Sequence, residues 1–107
     1  MKGSGINSQG AAIFRRAAAY IRSHGWQKEG MGHDGQTRCS MGALASAYPK
    51  KRWDKDLARA MYQSLYDELN GQTLTQFNYK YHDGEKVAQL FERVANKLVS
   101  PKGHHQA

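Results

Sequence analysis

The chain has one cysteine, Cys39, two prolines, Pro49 and Pro101, and only nine Asp and Glu residues against sixteen Lys and Arg. Each scarcity excludes something. A lone thiol cannot close an internal disulfide, which fits a reducing compartment and points to the cytoplasm. No apolar run approaches the ~20 residues that a bilayer-spanning helix needs, so a membrane role is not expected. The one apolar stretch near the start is broken by Arg15 and Arg16, and reads as a first helix with an arginine face rather than a secretory leader. At 107 residues and 39% hydrophobic content, the composition fits a single globular domain that buries roughly two-thirds of its unfolded surface.

The shortage of acids is local. Residues 1–52 hold nine Lys or Arg but only Glu29 and Asp34, a net +7, whereas residues 53–107 hold seven of each sign. All the excess charge therefore sits in the first half. Such asymmetry points to an anionic partner, either nucleic acid or an acidic protein surface.

Apolar periodicity gives mainly α structure, a compact four-helix single domain. A first helix runs from Asn7 or Ser8 to about His24. Ile13, Phe14, Ala17, Ala18, Tyr20 and Ile21 line one side, Arg15 and Arg22 share the opposite side, and Arg16 lies at its edge. Gly25 stands where a left-handed cap belongs, with Trp26 folding back behind it. A second helix, Arg38 to Tyr48, ends at Pro49. Its small residues permit close approach from several sides, and it is expected to be the packing hub. The third helix begins near Asp54 and stops at Asn70-Gly71. Residues 72–83 are read as one turn capped by Thr73, followed by extended chain. The last helix, about Gly84 to Val99, has the cleanest apolar stripe and Asp83 as its cap. Residues 27–37 are read as a loop, with a short β-hairpin around residues 30–38 as the alternative, since Asp34-Gly35 is a hairpin signal. Residues 1–8 and 100–107 read as flexible tails.

Three stretches resemble an uncharacterised bacterial and phage family of unknown function, frequent in actinobacteria and their phages. They are Ala17-Ala18-Ala19-Tyr20-Ile21 running into Gly25-Trp26, Gly35-Gln36-Thr37-Arg38-Cys39-Ser40-Met41-Gly42-Ala43-Leu44, and Leu74-Thr75-Gln76-Phe77-Asn78. The likeness spans roughly residues 14–98. It implies a mainly helical cytoplasmic protein and no established activity. The family's Trp-Asn-Asp element stands here as Phe77-Asn78-Tyr79, without its carboxylate.

Candidate chemistry is sparse. Cys39 lies at a helix N-terminus beside Arg38, a setting that favours thiolate. His82 as base and Asn78 as its orienting partner would complete a cysteine-dependent hydrolase or transferase. A buried structural thiol is the plainer reading. Gly30, Gly32 and Gly35 match the dinucleotide-binding glycine pattern but lack its strand-and-helix context. With Arg38 they leave a weaker alternative, a nucleotide or phosphate-ligand site. His24, His33 and Cys39 have no paired-ligand spacing, so neither metal nor cofactor is expected. Lys50, Lys51 and Arg52 beside Trp53 are the most partner-like group, since cations next to an aromatic ring can pair with phosphates or carboxylates and stack. Arg15 and Arg22 extend that patch. The leading expectation is a small non-enzymatic binding protein, perching this basic surface on an acidic macromolecule and, if phage-encoded, on a host factor.

Overall fold

A computed structural model describes residues 2–26, 40–48, 54–81 and 83–99. Among them are five helices and no strand: α1 (Lys2–His24), α2 (Ser40–Ala47), α3 (Lys55–Leu69), α4 (Leu74–Tyr81) and α5 (Gly84–Val99). The mainly helical class holds, and the count of four is corrected to five. The alternative hairpin around residues 30–38 lies outside the described residues, as does the 100–107 tail.

The added helix is α4. Thr73 and Gln76 form a reciprocal cap: Gln76 N–H donates to Thr73 Oγ1 at 3.0 Å, and Thr73 N–H donates to Gln76 Oε1 at 2.9 Å. Two otherwise orphaned donors are satisfied, and Leu74 and Phe77 are buried beneath them. The nucleated turn therefore propagates instead of giving way to extended chain.

The hub is α1, not the short α2. It packs along α5 over the longest contact and also meets α2 and α3. Ala11, Ile13, Phe14, Ala17, Ala18 and Ile21 are all buried, covering close to half the helix circumference at about 100° per residue. Bulky and small side chains alternate on that arc, so α1 fills space against several neighbours at once. Phe14 meets Phe91 of α5 with ring centroids 5.4 Å apart and planes tilted by 55°, within the preferred aromatic geometry. Helix α1 also begins at Lys2, earlier than a cap at Asn7 or Ser8 would place it, and Ile6 packs on the core. Partial burial of that side chain helps offset the poor helix propensity of the Gly and Ser residues around it.

The other boundaries follow the sequence. Gly25 has φ 93° and its N–H reaches Ile21 O at 2.9 Å, a left-handed cap. Asp54 caps α3 by accepting from Asp56 N and Leu57 N at 3.0 and 3.2 Å. Asn70 ends α3 in the left-handed region, φ 55° and ψ 50°. Asp83 accepts from Glu85 N at 2.9 Å at the head of α5. No helix among the described residues is long and apolar enough to cross a membrane.

Candidate docking surface

The arginines of α1 part company once neighbouring helices are in place. Arg22 turns to α5, where its Nε and Nη2 donate to both carboxylate oxygens of Glu85 at 3.0 and 2.7 Å. Its Nη1 reaches Glu92. Two acids therefore compensate one cation. The hydrogen bond from Arg22 holds the Glu85 carboxyl below its ordinary range and, with Glu92, raises the guanidinium pKa further. Arg15 also leans toward α5, donating to Asn96 Oδ1 at 3.2 Å.

Arg16 goes the other way. Its Nη2 donates to the Ala47 carbonyl at 3.1 Å, on the last residue of α2, where helix carbonyls lack internal partners and carry partial negative charge. Neither Arg15 nor Arg16 forms an ion pair with a carboxylate among the described residues. No acidic residue occurs anywhere in α1.

Beside the Arg16–Ala47 contact lies an open groove of about 350 Å³, lined by Arg16, Ala19, Tyr20, Ser23, Ser46 and Ala47. Both serine hydroxyls are turned inward on their own helices: Ser23 Oγ donates to Ala19 O at 2.9 Å and Ser46 Oγ to Ala43 O at 3.0 Å. The Tyr20 ring is stacked on His24 at 4.3 Å. Among the described lining residues, Arg16 is thus the one charged group at an otherwise mostly apolar wall.

Past the groove, Tyr48 ties α2 to α3. Its hydroxyl donates to Asp54 O at 3.1 Å and accepts from Asp54 N at 3.4 Å. Lys50, Lys51, Arg52 and Trp53 fall between those two anchors in sequence and lie outside the described residues. Cys39, His82, Gly30, Gly32, Gly35 and Arg38 lie outside them too, while Asn78 falls within α4. The tyrosines of α3 form a second surface feature. Tyr62 and Tyr66 stack at 6.3 Å, Tyr66 is 54% exposed, and burial followed by the nearby Tyr66 and Tyr48 pushes the Tyr62 hydroxyl pKa up.

Ser23 Oγ lies 2.9 Å from the Ala19 carbonyl and 3.1 Å from His24 Nδ1, so the helix carbonyl and the imidazole compete for one hydroxyl proton. No group of three or more His, Cys, Asp or Glu among the described residues is placed to hold a metal ion.

Sequence reasoning named Arg15 and Arg22 for the patch and left Arg16 at its margin. The signal for Arg16 was its helical offset of about 100° from Arg15 toward Ala19 and Ser23. That for Arg22 was the pair Glu85 and Glu92, seven residues apart and so on one face of α5.

The chain belongs to a family of unknown function, DUF6197, which matches residues 7–106. No curated protein and no solved structure matches it.

Proposed function

We propose that this member of the family is a small non-enzymatic binding protein that docks the basic surface of its first half on an acidic macromolecular partner in the cytoplasm. One observation carries the reading. Arg16 is bonded to the last residue of α2, and Tyr48, the next residue, is bonded to Asp54. Tyr48 and Asp54, which bound in sequence the stretch bearing Lys50, Lys51, Arg52 and Trp53, are therefore held together, and Tyr48 directly follows the residue that Arg16 binds. Arg16 and this basic stretch are the cations we assign to the contact. Arg15, which leans toward α5, adds to the charge of the same helix, and Arg22, paired with Glu85 and Glu92, serves chiefly to hold α1 on α5. If the chain is phage-encoded, the partner is a host protein, and nucleic acid is the competing anion.

The test compares wild type with Lys50/Lys51/Arg52→Glu in a pull-down, beside a measurement of Cys39 alkylation. Loss of the captured partner, with an alkylation rate near that of a model peptide, supports docking. A hyper-reactive thiol, with capture unaffected by charge reversal, supports the cysteine-dependent alternative with Cys39 and His82 and overturns docking.

A further inference from the structure

We propose that the groove between α1 and α2 receives an apolar side chain from an acidic amphipathic segment of a protein partner, with the segment's carboxylate meeting Arg16; this rests on the docking reading above. The lining decides the class of occupant. Ala19, Ala47 and the Tyr20 ring offer an apolar wall, and about 350 Å³ has room for a leucine- or phenylalanine-sized side chain. Neither serine offers the groove a free proton, because both hydroxyls donate to carbonyls of their own helices. Among the described lining residues the single charged group is Arg16, which uses one N–H on Ala47 O and keeps the rest of a five-donor fork. That fork suits a carboxylate bidentately. Charge complementarity favours an acidic occupant, since α1 contains no acid.

A nucleic-acid strand fits less well. Its phosphates would meet Arg16, but its backbone brings no apolar group to the wall. One face of Tyr20 is already stacked on His24, so a base could stack on one face of that ring at most. An amphipathic helix brings both elements at once, an aliphatic anchor and an acid one turn away.

The experiment measures fluorescence anisotropy with three labelled probes. One is an amphipathic peptide with glutamate on its polar face and leucine on its apolar face, the second has serine in place of each leucine, and the third is a single-stranded DNA oligonucleotide. The proteins are wild type, Ala19→Trp, Ser23→Phe and Arg16→Glu, each checked for helical circular dichroism. Ala19 and Ser23 are exposed, so two independent fillings of the groove guard against one that disturbs folding. The expected result is binding of the leucine peptide at least about tenfold tighter than the serine peptide. Either filling variant should erase that preference, and Arg16→Glu should weaken both peptides. Equal binding of both peptides, unchanged by groove filling, overturns the groove while leaving charge-driven docking intact. DNA binding tighter than either peptide and weakened by filling assigns the groove to nucleic acid and overturns the proposal. Absence of peptide binding at low salt overturns the groove and the docking reading together.

Discussion

Gly84 opens α5 where a methyl group would stand 2.7 Å from Trp26 Cβ and 3.2 Å from Ile21 Cγ2. The first distance is below any real contact, and Trp26 Cβ lies next to backbone, so the neighbour cannot swing aside. Gly84→Ala should therefore destabilise the protein by about 1–3 kcal/mol, despite the better helix propensity of alanine. Urea denaturation followed by circular dichroism checks it, and an unchanged or raised midpoint would remove the steric account. Asn70 is the counterpart in the backbone. Its left-handed conformation makes Asn70→Val costly by about 1–2 kcal/mol, while Asn70→Gly should be nearly neutral. The same denaturation series reads both variants. These residues differ in how plainly the sequence speaks. Asn70-Gly71 and Gly25-Trp26 announce chain reversals through local chemistry. Gly84 gives no such signal, because the side chain that excludes a Cβ there comes from 58 positions earlier.

At the scale of elements, α4 depends on a cap visible as Thr73-x-x-Gln76. The sequence reading recognises Thr73 as the cap of one turn but not the reciprocal bond from Gln76, and the alternation of Phe77, Tyr79 and Tyr81 then suggests extended chain beyond it. Thr73→Ala should cost about 1 kcal/mol and reduce helical ellipticity, and a Gln76→Ala variant should show a smaller loss in the same direction. The hub was harder to read. Small residues in α2 permit close approach, but they bury little apolar area. The longer α1 combines alanines with Phe14, Ile13 and Ile21, and that mixture lets it face three helices. Ties between helices add a pH dependence. Burial opposes ionisation of Glu68, yet hydrogen bonds from Arg93 and Lys97 outweigh it and hold the carboxyl below its ordinary range. Arg93 Nε and Lys97 Nζ stand 2.8 and 3.0 Å away, and the Glu68 side chain is only 15% exposed. Glu85 is lowered in the same way by Arg22. Because the folded values are depressed, the stabilisation is complete above the ordinary glutamate pKa of about 4.3 and is lost as pH falls through the lower folded values. Glu68→Gln should lower the denaturation midpoint at pH 7 and converge toward wild type in acid. A difference that stays constant down to acid would show that Glu68 acts without its charge.

For the whole molecule, the sequence discloses a surplus of charge in the first half but not its arrangement. A helical wheel groups Arg15 with Arg22. Only packing against α5 brings Glu85 and Glu92 to Arg22 and leaves Arg16 at the end of α2. Residues 54–99 add little net charge to this picture, so location rather than total charge should govern binding. The direct measurement is titration of the captured partner with two charge-matched variants, Lys50/Lys51→Glu and Arg59/Lys86→Glu, the latter on exposed positions of α3 and α5. The account predicts that the first variant weakens binding by about a hundredfold or more, and that the second stays within about threefold of wild type, with both differences shrinking as salt screens the contact. Equal losses from the two variants would contradict it.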